Sequence, residues 1–305
     1  MRALVISGGG SKGAFAGGVA QYLIDERGYK YDILVGTSTG SLMISHLALD
    51  KVDKIKKIYT SVNQNSIFNS CPFIVKVNKE GEKKISINHL KVMKSFLRGR
   101  KTFGESKNLR KMIFETFTVE EFEEIKASQK DVVVTVSNLS LNQVEYKSIK
   151  DFEYEEFCDW IWISCNFIPF MSLAIKNGCE YADGGFASMV PIEEAISRGA
   201  TIVDVIVLET EVSYYNRTHS KNVFELMTSL HSFMANRIER QNIRIGKFAA
   251  SYMDAILHLY YTPTVLTTNS LIFDEKMMTE WWESGYQFAK QQGMGISEVK
   301  AKTDK

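Results

Sequence analysis

Tyr31-Asp32-Ile33-Leu34-Val35, followed at once by Gly36-Thr37-Ser38-Thr39-Gly40, is the stretch that decides the fold of this chain. An apolar run that stops at Gly-X-Ser-X-Gly and then enters a helix has the layout of a nucleophile elbow, in which the serine sits on a sharp strand-to-helix turn. Glycines on both sides let the backbone fold back without a Cβ clash. Ser41-Leu42-Met43-Ile44-Ser45-His46-Leu47-Ala48-Leu49 reads as the buried helix behind the turn. The five-residue pattern alone recurs by chance in unrelated chains. With a strand before it and a helix after it, it points to Ser38 as an acyl-transfer nucleophile.

Upstream, Met1-Arg2-Ala3-Leu4-Val5-Ile6-Ser7 is a strand that runs into Gly8-Gly9-Gly10-Ser11-Lys12-Gly13. From there to residue 27, Phe15, Val19, Tyr22 and Leu23 recur at helical spacing, and Gly28 stops the helix. Strand, glycine loop, helix, strand, elbow and helix make a βαβα start, which predicts a parallel sheet. Residues 51–129 read as a mostly helical, charged insertion broken at Cys71-Pro72 and Lys79-Glu80-Gly81, covering one end of the sheet. The β-branched run 131–137 predicts a buried strand, and 143–149 alternates as its partner. Residues 171–176 and 179–182 flank Asn177-Gly178, the strongest short hairpin signal. A short helix over 191–198, a buried strand over 201–208, a helix over 221–259, a short strand over 261–266 around Pro263, and an amphipathic helix over 275–292 complete the expectation. The predicted fold is a three-layer α/β/α sandwich with a mostly parallel central sheet. Residues 1–200 form the core, and 201–305 supply its last strand and the helical C-terminal part of the same globular unit.

The 305 residues are 45% apolar and 24% charged, which suits a soluble globular chain with a sizeable core. A formal net charge of +1 leaves no nucleic-acid footprint. No apolar run approaches the roughly 18 residues of a membrane span, and the N-terminus lacks the pattern of a signal peptide. Cys71, Cys158, Cys165 and Cys179 match neither a zinc ribbon nor a redox pair, so reduced thiols in a cytoplasmic protein are expected. No Asp/Glu/His spacing suggests a metal site, and no cofactor is expected.

The glycine loop has two readings. It fits G-x-G-x-x-G, but a dinucleotide fold needs an acidic residue at the end of the second strand, and here that strand ends in the serine elbow while Asp32 sits at its start. A Walker loop would need Ser or Thr after Lys12, where Gly13 stands. A parallel sheet would set the triglycine beside Ser38, so an oxyanion hole is the favoured use of its backbone N–H groups. The serine also needs a proton acceptor. His46, His89, His219, His231 and His258 stand in no catalytic motif and read as core or surface residues. Asp183 stands at a strand end with Gly184 and Gly185 behind it, and a carboxylate in a partly desolvated pocket becomes a better base. Trp160, Trp162, Trp281 and Trp282 read as packing residues, and Arg237, Arg240, Arg244 and Lys247 as a solvated helix face.

Together the glycine-rich loop, the elbow and Asp183-Gly184-Gly185 resemble the patatin-like phospholipase family. Ser164-Cys165-Asn166-Phe167-Ile168-Pro169-Phe170 stands where members carry a Ser/Ala-rich stretch ending in proline, and Asn269 to Asp274 and Gly285-Tyr286 are similar to the tail of bacterial members. The resemblance implies a lipid acyl hydrolase with Ser38 as nucleophile and Asp183 as base, in a dyad without histidine. It also implies an oxyanion hole from the Gly9 and Gly10 backbones, Lys12 in a position usually basic, and lipid or acyl-ester substrates met in transient contact with a membrane surface. Two rivals stand beside it. A transacylase of related architecture usually puts a histidine where Thr37 stands, and a non-catalytic lipid-binding protein would require a misassembled dyad.

Overall fold

Parallel pairing builds outward from the elbow strand on both sides, and every later placement depends on it. A computed structural model describes residues 1–77, 83–212, 219–220 and 223–303. The strands are β1 (Arg2–Ile6), β2 (Ile33–Thr37), β3 (Phe73–Val77), β4 (Lys83–Ile87), β5 (Asp131–Asn138), β6 (Gln143–Ser148), β7 (Ala174–Lys176), β8 (Cys179–Asp183), β9 (Ile202–Val207) and β10 (Ile256–Tyr261). The helices are α1 (Gly13–Gln21), α2 (Thr39–Ala48), α3 (Val52–Thr60), α4 (Gln64–Ile67), α5 (His89–Leu97), α6 (Lys107–Thr116), α7 (Val119–Ala127), α8 (Tyr154–Ser164), α9 (Ile192–Ser197), α10 (Val223–Tyr252) and α11 (Glu275–Thr303).

The main sheet runs β10-β9-β1-β2-β5-β8-β7, with β6 also on β5. The first five of these strands are mutually parallel, and β6, β7 and β8 are antiparallel additions. Alternation sorts the side chains by face. Leu4, Ile6, Leu34, Val132 and Val134 point into a core with α1, α2, α8 and α11, while Ala3, Val5, Ile33, Val35 and Val133 point into a second core with α9 and α10. The chain is therefore the three-layer α/β/α sandwich expected, and its parallel strands, covered on both faces, read as continuous apolar runs.

One joint in the sheet positions the chemistry. β2 pairs with β5 from Ile33↔Asp131 to Thr37↔Thr135, and β8 pairs with β5 from Val136↔Asp183 to Asn138↔Tyr181. Because β6 spans Val133 to Asn138 on the opposite edge, β2 and β8 share one edge of β5 end to end. The last residue of each strand faces adjacent positions of β5, so Ser38 and Asp183 meet at the junction.

One element adds to the expectation and one departs from it. The insertion is mostly helical and also holds an antiparallel hairpin of β3 and β4, with Phe73 and Ile87 turned into the core. The break expected at Lys79-Glu80-Gly81 lies outside the described residues. The β-branched residues of the hairpin strands stand among lysines, and that mixture hid the alternation. The departure is the edge strand expected over 261–266. It lies instead at Ile256–Tyr261, parallel to β9, and the preceding helix stops at Tyr252 rather than at residue 259. Asp254 at φ 52° turns the chain there, a conformation for which Asp is one of the few tolerant non-glycine residues. Half-exposed edge positions blur the strand period, so this run could be taken for more helix.

Candidate active site

Ser38 sits between β2 and α2 at φ 52°, ψ −118°, outside the regions comfortable for a residue with a side chain. The surrounding structure enforces this strain. A Cβ on Gly36 would come 2.5 Å from the Gly40 carbonyl carbon, and one on Gly40 would come 2.3 Å from the Ile6 carbonyl oxygen. Both glycines are thus required by close backbone approach. The turn is braced from behind: Ser38 N–H donates to Ser164 Oγ at 2.9 Å, Ser41 Oγ lies 2.8 Å from Ser164 Oγ, and Ser41 Oγ donates to the Gly36 carbonyl at 2.8 Å. The Cys165 thiol, whose pKa burial pushes well up, donates to the Ser38 carbonyl at 3.2 Å. The four cysteines are free thiols.

Held this way, Ser38 Oγ donates to Asp183 Oδ2 at 2.6 Å. Asp183 is 4% exposed, and its other oxygen accepts from Gly185 N–H at 2.7 Å. Its backbone is fixed by Asp183 N–H to the Asn166 carbonyl at 3.0 Å and by Ser137 Oγ to the Asp183 carbonyl at 2.8 Å. Burial raises the carboxyl pKa to about 7, against the opposing hydrogen bonds from Ser38 and Gly185. A buried carboxyl with no cation beside it among the described residues is therefore poised to exchange its proton near neutrality.

Of the glycine loop, Gly8 N–H donates to the Met189 carbonyl, Ser11 N–H to Ser270, Lys12 N–H to Gly9, and Gly13 N–H to Gly10 and Ser11. Among the described residues, the N–H groups of Gly9 and Gly10 have no protein acceptor. The Gly10 carbonyl is held by Thr39 Oγ1 at 2.8 Å and Tyr59 OH at 2.5 Å, and Thr37 Oγ1 donates to the Ser188 carbonyl at 2.9 Å. Gly184 is buried behind Asp183 on β5.

A cleft of about 880 Å³ opens over Ser38, Asp183, Gly9 and Gly10. Its lining is apolar at Leu42, Ile55, Phe73, Ile113 and Phe170. It is polar at Lys12, Glu209 and Glu239, which lie near one another. Lys12 is ion-paired with Glu209, and burial together with the Glu209 charge raises Glu239 to about 8.

No histidine ring is hydrogen-bonded to Ser38 or Asp183 among the described residues. His46 is buried edge-on to Phe117, its pKa lowered by burial to about 4, and His258, on the edge strand β10, lies 2.9 Å from Asp204. Trp160 and Trp282 are core residues, and Arg237, Arg240, Arg244 and Lys247 are exposed, as the sequence suggests. Among the described residues no cluster of three His, Cys, Asp or Glu could hold a metal ion, and no helix is long and apolar enough to cross a membrane.

The sequence pattern of the family described as patatin-like phospholipase (Patatin) matches residues 4–196, well over half of the chain. The chain belongs to the patatin-like phospholipase family. Among solved structures it is similar to the crystal structure of VipD from Legionella pneumophila, with 14% identity and a TM-score of 0.50. That likeness, one of fold alone, covers 95% of this chain and 66% of the other, so the chain spans slightly under two thirds of its length. None of the curated proteins compared matches. The patatin-like segment includes the loop, the elbow and Asp183, whereas Glu209, Glu239 and Ser270 lie beyond it. Sequence reasoning missed Tyr59 and Glu239 and the bracing role of Ser164. Ser164 was quoted only as the first residue of the 164–170 stretch of the resemblance, with no role given to it.

Proposed function

We propose that this chain is a lipid acyl hydrolase that cleaves carboxylic esters through an acyl-enzyme on Ser38. The observation that carries the reading is the 2.6 Å bond from Ser38 Oγ to a buried Asp183, set in the wall of a cleft lined in part by apolar residues. Ser38 Oγ attacks the ester carbonyl while Asp183 Oδ2 takes its proton. Charge developing on the carbonyl oxygen is met by the free N–H groups of Gly9 and Gly10, which need no reorganisation. Asp183 then returns the proton to the departing alkoxide. Water, deprotonated by the same carboxylate, hydrolyses the acyl-enzyme and restores Ser38. The acyl chain lies along the apolar lining and the alcohol portion faces Lys12, Glu209 and Glu239. The transacylase alternative is disfavoured by Thr37, whose hydroxyl is tied to the Ser188 carbonyl where that architecture uses a histidine.

Ser38→Ala should lower kcat/KM on a short acyl ester by about 10³-fold or more with the fold intact. A fluorophosphonate probe should label Ser38, read by peptide mass spectrometry. Labelling at another serine, or full turnover in the alanine variant, removes the assignment. Turnover should also persist in EDTA, and loss reversed by added calcium would contradict the mechanism.

A further inference from the structure

Helix α5 is built inside out. Leu90, Met93, Phe96 and Leu97 follow one another at helical spacing, and they are 75%, 56%, 50% and 82% exposed. Only Ser95 of this helix is buried. Four large apolar side chains on one face, left to water, mark an interaction surface. Charge says what kind. From 83 to 101 the sequence holds seven basic residues and no acidic one, in a chain whose net charge is +1. Lys83, Arg100 and Lys101 are spent on Asp274, Glu105 and Glu180. Lys91, Lys94 and Arg98 are exposed and make no ion pair among the described residues. They lie along one side of the apolar stripe, Lys91 and Lys94 within the helix and Arg98 at its C-cap.

Position links this surface to the cleft. The Phe96 ring packs on Phe103 at 5.6 Å, and Phe103 packs on Phe170, a wall of the cleft, at 5.7 Å. From the other side, His231 of α10 meets Phe167 and Phe170 at 5.7 and 6.2 Å. Neighbouring α10 residues Leu230 and Phe233 are exposed, while Ser232 and Asn236 on the same helix line the cleft. One aromatic cluster thus joins two exposed apolar stripes to the cavity that holds Ser38.

We propose that α5 is the docking surface of this chain for an anionic lipid surface, with Leu90, Met93, Phe96 and Leu97 entering the acyl boundary and Lys91, Lys94 and Arg98 meeting acidic headgroups. An apolar face with a basic flank on one short helix is the pattern of an interfacial helix. A second copy of the chain would bring two basic patches together, which disfavours self-association here. The proposal rests on the acyl-hydrolase reading only in that the bound surface would deliver the ester to the cleft.

The test is sedimentation of the full chain with phosphatidylcholine vesicles, with and without phosphatidylserine. Binding should require the anionic lipid and weaken as salt rises. Neutralising Lys91, Lys94 and Arg98 to Ala together should weaken it about 100-fold. Leu90→Ser with Leu97→Ser should weaken it by at least about tenfold. Both variants alter exposed side chains away from the cleft, so turnover of a soluble short-chain ester should be unchanged. Repeating the binding assay in Ser38→Ala separates the two claims, because failure of the catalytic reading leaves vesicle binding intact. Equal binding to neutral vesicles, binding indifferent to either variant, or no binding at all overturns the proposal. So does a concentration-dependent dimer in light scattering that the leucine variant dissolves, which would assign the face to a second copy.

Discussion

At Asp183, catalysis and stability pull in opposite directions. The proposed base must be ionised to accept the Ser38 proton, and its pKa is raised to about 7 by burial. Below that pH most molecules hold the wrong protonation state. kcat/KM should therefore rise about tenfold per pH unit up to roughly 7 and level off above it. The stability sign is the reverse. Between the ordinary carboxyl range near 4 and the folded value near 7, the native state binds the proton that the unfolded chain has released, so stability falls as pH rises through that window. Asp183→Asn, which keeps the shape and removes the ionisation, should nearly abolish turnover and yet unfold at higher denaturant than wild type. The gap should be near zero at pH 4 and reach a few kcal/mol by pH 8. Glu239, raised to about 8, adds its own slope to both proteins and cancels in the difference. A gap that does not grow with pH would show that Asp183 is not held protonated by its surroundings. Ser38 and Asp183 were legible in the sequence because each announces itself locally, by glycines beside a strand end. Ser164 was not, because what makes it matter is a bond to an N–H group 126 positions away in the chain.

Strands and helices were legible where burial was uniform and obscured where it was mixed. β1, β2, β5 and β9 are covered on both faces and read as largely apolar runs. β10 lies at the sheet edge, half-exposed along most of its length, and β3–β4 carries lysines on its open side, so neither shows a clean period of two. Helix pairing left a different kind of trace. Gly17 and Gly18 stand inside α1, where each costs about 1 kcal/mol relative to alanine, and such a cost implies a packing reason. The reason is α11. A Cβ on Gly18 would lie 1.9 Å from the Trp282 carbonyl oxygen, and one on Gly285 would lie 2.1 Å from that of Phe15. The two backbones touch with no room for a side chain, and Trp282 is wholly buried over Gly17. Gly18→Val should thus force α11 off α1 and cost about 3 kcal/mol or more, read from thermal or denaturant unfolding. Gly28→Asn is the matching control. Its Cβ meets nothing, and a φ of 63° is one asparagine tolerates, so it should cost under about 1 kcal/mol. Equal losses in the two variants would mean that α1 and α11 do not pack as closely as their glycines require.

The family match ends at residue 196, but the architecture does not divide there. β9 pairs with all five residues of β1, from Arg2↔Ile202 to Ile6↔Ile206, and separates β1 from the sheet edge. Asp204 on β9 is fully buried and holds both Arg2 Nε and Nη2, at 2.6 and 3.0 Å, and Tyr31 OH at 3.1 Å, so it ties the start of β1 to the start of β2. Farther on, the Ser270 carbonyl accepts from Ser11 N–H at 2.9 Å and from Ser11 Oγ at 3.1 Å, which pins the glycine loop against the C-terminal segment. Lys12 of the same loop is paired with Glu209. Every residue of the proposed dyad and oxyanion hole thus lies before 196, while several groups that hold them in place lie after it. A fragment ending at residue 200 would leave the buried edge of β1 unpaired, strip α1 of α11, and free the loop carrying Gly9 and Gly10. It should fail to form a cooperative fold and should show no fluorophosphonate labelling, whereas the full chain should unfold in one transition. Within the full chain, Asp204→Ala should be among the most damaging single changes, costing about 3–5 kcal/mol by leaving the Arg2 guanidinium without its partner. If the fragment instead folds and labels at Ser38, residues beyond 200 are an accessory layer, and the pinning of the loop by Ser270 is not what keeps the oxyanion donors in place.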